Sequence, residues 1–324
     1  MSLSKNVLIT GSTGFIGQAL QNLLATKKNI NIRVLPRLKQ EKTTEGAATP
    51  MASSGILWPK TLLPNDITTL VHLAGRAHVL KETSGNPLEH YRADNVESTL
   101  YLAKQALNAG VKRFIFISSI GVNGSSTTCT PFNELSIPAP KADYAISKLE
   151  AEQGLHDLLQ DSGMELVIIR PPLVYAGHAP GNFRRLLKLV ASGAPLPFAS
   201  VNNRRSMISL ENLVDFIALC IEHPAAAGET FLISDGLDFS TPQIIRHLAT
   251  GLGRKAILLP IPLTLMQLSS RLLGLEGTYD QLCRSLVIDS SKARNLLEWH
   301  PPIDTSQALI NAGRDFDAML TKPK

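Results

Sequence analysis

The sequence predicts an α/β protein built on a doubly wound parallel sheet, and three observations carry that reading. Short apolar, strand-like runs alternate with helical stretches, the pattern of βαβ units. The glycine-rich segment Thr10-Gly11-Ser12-Thr13-Gly14-Phe15-Ile16-Gly17 follows the first such run and opens a helix. Of 324 residues, 44% are apolar and only 18% charged, which supplies a sizeable core and argues against disorder.

The elements follow in order. Strands are expected at 6–10, 30–35 and 69–73, with a helix at 15–26 between the first two. A long helix is expected over 87–108, closed by Gly110 just past its end. The run Arg113-Phe-Ile-Phe-Ile-Ser118 is apolar on both faces, as central parallel strands are. A helix at 143–160, with Asp143 as its N-cap, leads to a strand at 165–170. Beyond Arg170 the texture turns Pro/Gly-rich; a basic helix at 183–191, apolar segments at 213–221 and 230–233, and a helix at 241–252 follow. The reading is a Rossmann-type nucleotide domain over 1–170, its sheet completed by about 208–235, with a smaller interleaved α/β lobe over 171–324.

Composition excludes several classes. The net charge of +5 (32 basic, 27 acidic residues) is spread along the chain without a dense basic block, so no nucleic-acid partner is expected. The eight histidines contain no HExxH-like pair, and no metal site is expected. Cys129, Cys220 and Cys283 are far apart and odd in number, as in a reducing cytoplasm. The N-terminus lacks an apolar signal core and no run of about 18 apolar residues occurs, so a cytoplasmic chain without membrane insertion is expected. The apolar stretch 262–275 reads as a helix packed on its own domain, the alternative being contact with a membrane or a partner.

In the glycine segment, Gly11 permits the tight turn, Gly14 admits a pyrophosphate to the backbone, and Gly17 lets helix and strand pack closely. The helix N-terminus, entered at Thr13, Phe15 and Ile16, offers unpaired N–H groups to an anion. NAD-binding chains commonly end strand two with an acid for the ribose hydroxyls; here Arg37 and Lys39 stand instead, and Arg37 tilts the expectation from NAD toward NADP(H). The second constellation joins Ser118-Ser119, at a buried strand's tip, to Tyr144-Ala-Ile-Ser-Lys148. Spacing of i, i+4 stacks Tyr144 and Lys148 on one helix face. An ammonium there is expected to lower the phenol's pKa, so that Tyr144 exchanges a proton with a substrate oxygen held by Ser119 while hydride moves to or from NAD(P).

Taken together, TGSTGFIG, LVHLAG, Asn95-Val96, ISSIGVNG, YAISK, RPPLVY and RRSMISLENLVD resemble the extended short-chain dehydrogenase/reductases, over nearly the whole chain and in order. The likeness is to their nucleotide-sugar epimerase/reductase branch, the UDP-galactose 4-epimerase-like proteins. It implies that Ser119, five positions before Gly124, is the catalytic serine beside Tyr144 and Lys148. It further implies cofactor contacts at Leu73, Ala74, Gly75, Asn95, Ser118 and Pro171, and nucleotide-diphosphate contacts at Asn182 and Arg205, with Arg184, Arg185 and Arg204 as weaker candidates. Ile120 and Gly121 replace the Asp-Glu pair of the related dehydratases, which argues against water elimination; Asn123 replaces a usual tyrosine, and Gly55-Ile-Leu-Trp58 lacks the family's adenine contact. The implied substrate is a UDP-hexose or UDP-N-acetylhexosamine epimerised at C4, in a homodimer. A 4-ketoreductase using NADPH stays open, and a non-catalytic NADP(H)-sensing regulator is the third reading.

Overall fold

The computed structural model describes residues 4–36, 58, 63–76 and 86–321. Its elements run β1 (Lys5–Thr10), α1 (Phe15–Leu24), β2 (Ile30–Leu35), β3 (Thr69–His72), α2 (Pro87–Arg92), a π-helical turn (Ala93–Glu97), α3 (Ser98–Asn108), β4 (Arg113–Ile117), a 3-10 turn (Ile120–Val122), α4 (Asp143–Leu159), β5 (Glu165–Arg170) and β6 (Leu173–Tyr175). They continue with α5 (Gly181–Ala191), β7 (Met207–Ser209), α6 (Leu210–Glu222), β8 (Thr230–Leu232), α7 (Thr241–Gly251), α8 (Leu263–Leu272), α9 (Glu276–Cys283), α10 (Ser291–Leu297) and α11 (Thr305–Thr321).

Six parallel strands form one sheet in the order β2-β1-β3-β4-β5-β8. The alternation of side chains explains why both faces are covered. Val7, Ile9, Ile115 and Ile117 meet Leu20 and Leu24 of α1 and Phe216 and Ile217 of α6. Leu8, Phe114 and Phe116 point the other way, onto Leu102 and Ala106 of α3 and Ala151 and Leu155 of α4. Strands written in β-branched and aromatic residues therefore place the tips of β1, β3 and β4 together at one edge, where the glycine turn lies.

Three local expectations change. The helix over 87–108 is interrupted by the π turn Ala93–Glu97, a widening that periodicity does not reveal. Asp143 is not the N-cap of α4: Ala142 occupies that position, and Asp143 is an acid of the first turn, where the helix dipole favours it. α8 forms as expected, yet Ser270 is its only buried residue, so the expected packing of 262–275 on its own domain holds for one side alone. Gly110 does close α3, in the left-handed region at φ +75°.

The second core joins Phe183 and Leu187 of α5, Ile245 and Leu248 of α7, and Leu309 and Phe316 of α11. Asp235 ties this lobe to the two-stranded β6-β7 sheet. Its carboxylate accepts from the Tyr175 hydroxyl (2.6 Å), the Asn212 amide (2.7 Å) and the Ser209 N–H (3.0 Å). Burial pushes this carboxyl up to about 6, against the pull of those hydrogen bonds. The folded state thus holds the proton to higher pH than the unfolded chain, whose Asp titrates near about 4. Stability from this group is full below about pH 4 and is lost as the pH rises through about 6. Asp235→Asn is expected to flatten that limb in urea-unfolding midpoints, whatever it does to absolute stability. Parallel pH slopes for the two proteins would contradict the assignment.

Candidate active site

The glycine turn is built by steric necessity. Gly11 sits at φ +68°, and a Cβ there would lie 2.7 Å from the Ala74 nitrogen. A Cβ on Gly17 would strike the Gly11 carbonyl at 2.2 Å, so the third glycine serves contact between α1 and the turn itself. Gly14 donates its N–H to the Gly11 carbonyl (2.9 Å) and stands at the N-cap of α1 without a side-chain cap. No acid occupies the first turn of α1, which leaves an N-terminus suited to a phosphate. Gln21 donates to the Ser12 carbonyl (2.7 Å) and Gln18 to that of the exposed Thr13 (3.2 Å), fixing the turn from the helix side. Phe15 meets His178 edge-on at 5.2 Å, and half-buried Ile16 packs against the first core.

Leu73, Ala74 and Gly75 continue from β3 alongside this turn. Ala74 donates its N–H to Thr10 Oγ1 (3.3 Å), and Thr10 Oγ1 lies 2.8 Å from Nδ1 of His72. The other ring nitrogen of His72 is 2.9 Å from Thr99 Oγ1. This buried Thr–His–Thr chain braces the strand tips; a lone histidine inside LVHLAG carried no sign of it. Asn95, in the π turn, accepts from the Arg76 N–H (2.8 Å) and donates to the Arg76 carbonyl (3.1 Å) and to Ser147 Oγ (3.0 Å). It therefore couples the loop after β3 to α4, the helix of Tyr144 and Lys148.

Lys148 is buried. Its Nζ donates to the Ile117 carbonyl (2.9 Å) and lies 4.5 Å from the Phe116 ring centre. Burial lowers its pKa to about 8, with Glu152 acting in the opposite direction. Tyr144 keeps some solvent-facing surface, yet burial, with Tyr91 second, pushes its phenol up to about 12. The expected lowering of that phenol is thus corrected: desolvation wins, while the ammonium is engaged by the Ile117 carbonyl. Tyr91 holds the Tyr144 ring edge-on at 6.2 Å.

Ser119 caps the 3-10 turn, its Oγ accepting the Gly121 N–H at 3.1 Å. That turn rests on α4: a Cβ on Gly121 would lie 3.2 Å from the Ala145 methyl, next to Tyr144. The Pro171 carbonyl accepts the Ile120 N–H (3.0 Å), tying the end of β5 to the serine loop. Ser118 is buried, and its Oγ has no hydrogen-bond partner among the described residues. An orphaned hydroxyl at the tip of β4, opposite a glycine turn with an open helix N-terminus, fits a dinucleotide spanning the two. Arg37 lies outside the described residues, as do Gly55, Ile56 and Leu57, whereas Trp58 is buried and donates to the Ser98 carbonyl (3.0 Å).

Asn123 proves to be structural. It is buried, accepts from the Arg170 guanidinium (3.0 Å) and donates to the Asn133 carbonyl (3.4 Å). Arg170 in turn grips Glu152 with two hydrogen bonds, so Asn123, Arg170, Glu152 and α4 form one buried assembly.

The predicted substrate residues occupy the second lobe. Arg205 is half-buried, desolvation lowers its pKa, and it donates to the Arg284 carbonyl (3.2 Å). Asn182 donates to Gln281 (2.6 Å) and accepts from Arg185 (3.2 Å), while Arg204 is paired with Asp238 (2.9 Å) and Arg184 is exposed. Arg284 was not foreseen. It borders a cavity of about 300 Å³ together with Thr127, Thr128, Gln267 and Tyr279, and a second of about 180 Å³ with Ser270 and Arg271. Its signal in sequence was slight, an arginine between a helix end and a short apolar run. Among the described residues no cluster of His, Cys, Asp and Glu could hold a metal ion, and no helix is long and apolar enough to cross a membrane.

Residues 7–234 match the profile of the NAD dependent epimerase/dehydratase family. The chain is 42% identical over 316 residues to a UDP-glucose 4-epimerase of Vibrio cholerae, covering 97% of this chain and 96% of that one. The fold is shared with RMD from Pseudomonas aeruginosa complexed with NADPH (TM-score 0.71, 21% identity, 97% and 100% of the chains). It is shared too with UDP-glucuronic acid 4-epimerase from Bacillus cereus in complex with NAD (TM-score 0.73, 20% identity, 98% and 100%). With a glycine turn, a parallel sheet and a Tyr–Lys helix in this order, and with that profile covering most of its length, the chain belongs to the NAD dependent epimerase/dehydratase family.

Proposed function

We propose that the protein is an NAD(P)-dependent nucleotide-sugar 4-epimerase acting on a UDP-hexose or UDP-N-acetylhexosamine, with Ser119, Tyr144 and Lys148 at its centre. The observation that supports this reading is Lys148, one turn from Tyr144 on α4, donating to the Ile117 carbonyl at the end of β4, with the unpartnered hydroxyl of Ser118 and then Ser119 next along the chain. The 42% identical UDP-glucose 4-epimerase supports the reaction class. Bound NAD(P) supplies a reversible acceptor for the hydride of sugar C4. The turn at Gly11–Gly17 and the N-terminus of α1 would hold its pyrophosphate, and Ser118, Asn95 and Lys148 are the residues that would hold the rest of it.

As the phenolate, Tyr144 takes the proton of the C4 hydroxyl when the 4-keto sugar forms, and the resulting phenol returns it when the ketone is reduced from the opposite face. Burial that pushes the phenol up to about 12 opposes this phenolate, so the charge of Lys148, and the positive charge oxidised cofactor would add when bound, must favour it. Ser119 donates its O–H to the same oxygen while its Oγ goes on accepting the Gly121 N–H. Ile120 and Gly121 offer neither acid nor base, which suits epimerisation rather than dehydration. Arg205 and Arg284, with Asn182, provide the planar donors that a diphosphate requires. The free cysteines Cys129, Cys220 and Cys283 suit a cytoplasmic enzyme, and a homodimer is the assembly expected in solution.

Denaturing the purified protein and identifying the nucleotide it releases tests this reading. Tightly held NAD in near-equimolar amount is expected, since an epimerase must keep its cofactor between the two half-reactions. A protein that releases none, and consumes NADPH with a UDP-4-keto-6-deoxy sugar, is a 4-ketoreductase instead.

A further inference from the structure

His72 lies between the glycine turn and α4, and both of its ring nitrogens are engaged. The ring is buried and walled by three others, with centres 6.0 Å away for Trp58 and 5.9 Å for Phe114 and Phe116. Nδ1 meets the hydroxyl of Thr10 (2.8 Å) and Nε2 that of Thr99 (2.9 Å). A hydroxyl has one proton to give. That of Thr99 goes to the Asn95 carbonyl (2.7 Å), so Nε2 carries the hydrogen and donates it to Thr99. In the neutral ring Nδ1 is then the acceptor, and it takes the proton of Thr10, whose oxygen accepts the Ala74 N–H (3.3 Å).

Each side of the ring therefore serves a different part of the site. On the Nδ1 side, Thr10 precedes Gly11, and a Cβ on Gly11 would lie 2.7 Å from the Ala74 nitrogen that Thr10 holds. On the Nε2 side, Thr99 fixes Asn95, whose amide donates to Ser147 Oγ (3.0 Å), which in turn donates to the Tyr144 carbonyl (2.8 Å). The two sides close on each other at Gly75, where a Cβ would lie 3.1 Å from Asn95 Oδ1 and 3.4 Å from Lys148 Nζ. Six hydrogen bonds, all donating in one direction, thus join the Ala74 N–H to the Tyr144 carbonyl. We infer that His72 is a positioning residue, which holds the glycine turn in register with the Tyr144–Lys148 face of α4 through this polarised chain. A misplacement of about 1 Å between reacting groups costs on the order of 100-fold in rate, so such a brace acts on turnover as well as on stability. The inference rests on the proposed reading of the Gly11–Gly17 turn as the cofactor site and of Tyr144 as the proton carrier.

Two variants separate the two sides of the ring. Asparagine places an oxygen near the position of Nδ1, and glutamine a nitrogen near that of Nε2. His72→Asn therefore keeps the acceptor for Thr10, and His72→Gln keeps the donor for Thr99. With a UDP-sugar that the native protein epimerises, H72N is expected to lower kcat at least about tenfold while the NAD(P) dissociation constant, titrated on nucleotide-free protein, changes less than about threefold. H72Q should weaken NAD(P) at least about tenfold and lower the cofactor-saturated kcat less than H72N does. T99V should reproduce the first pattern and T10V the second, and they replace either His72 variant if it fails to fold. Lower melting temperatures with native kcat and native NAD(P) affinity would make His72 a structural residue and overturn the inference, as would identical losses in both variants. If the native protein epimerises no UDP-sugar, the proposed reaction falls and the titration still decides. NAD(P) weakened by H72Q and T10V, and not by H72N and T99V, upholds the role of His72; affinity unchanged in all four overturns it.

Discussion

Tyr144→Phe is expected to lower turnover by about two to four orders of magnitude while cofactor affinity stays within a few-fold. The change removes one oxygen and leaves the ring, its edge contact with Tyr91 and the helix intact. The groups assigned to the cofactor, namely the glycine turn, Asn95, Ser118 and Lys148, are untouched. Steady-state kinetics on a UDP-sugar, paired with a titration of NAD by protein fluorescence, separates the two effects. Activity within about tenfold of the native protein would remove Tyr144 from the chemistry. Joint loss of activity and cofactor binding would instead make it a structural residue.

Glu152→Ala is expected to destabilise the protein by about 3–5 kcal/mol, read as a drop in the urea midpoint. The magnitude follows from what remains behind. Arg170, with a side chain only 9% exposed, would keep its charge and lose both carboxylate oxygens, with the Asn123 amide as its remaining side-chain partner. Replacing both members of the pair by apolar residues of similar volume should cost much less than removing one. Glu152 also lies one turn beyond Lys148 and raises its pKa against burial, so the ammonium of the variant should titrate still lower. A loss below about 1 kcal/mol would show that the pair is solvated or dispensable.

Much of this architecture is written openly in the sequence, and the residues show why. The strands at 113–117 and 165–170 are long apolar runs bounded by breakers, and their ends were legible within one residue. The glycine turn and the Tyr–Lys spacing were legible because each encodes a geometry that other residues cannot satisfy; Gly11 and Gly17 have no room for a Cβ. The residues that escaped act through long-range partners. In sequence Asn123 shows only as a replacement for a tyrosine, and only the fold brings Arg170 to it across 47 positions. The π turn holding Asn95 leaves no mark on a helical hydrophobic pattern, and only the fold brings Arg284 to one cavity with Thr127 and Thr128. The leucines of α8 failed differently: an amphipathic pattern announces an apolar face but not whether that face meets protein or something else. The phenol of Tyr144 shows the same limit in energy, because spacing reveals the neighbouring lysine but not the burial that outweighs it.

The central claim is that Ser119, Tyr144 and Lys148 invert C4 of a nucleotide sugar with a cofactor that stays bound. Incubating the purified protein with UDP-glucose, and separately with UDP-N-acetylglucosamine, without added NADPH and following the C4 configuration by proton NMR tests it most directly. At least one of the two sugars should approach an equilibrium mixture of C4 epimers with no net change in absorbance from reduced cofactor, and Tyr144→Phe should stop the conversion. Neither sugar being converted, even with NAD supplied, while a 4-keto sugar is reduced at the expense of NADPH, would contradict it.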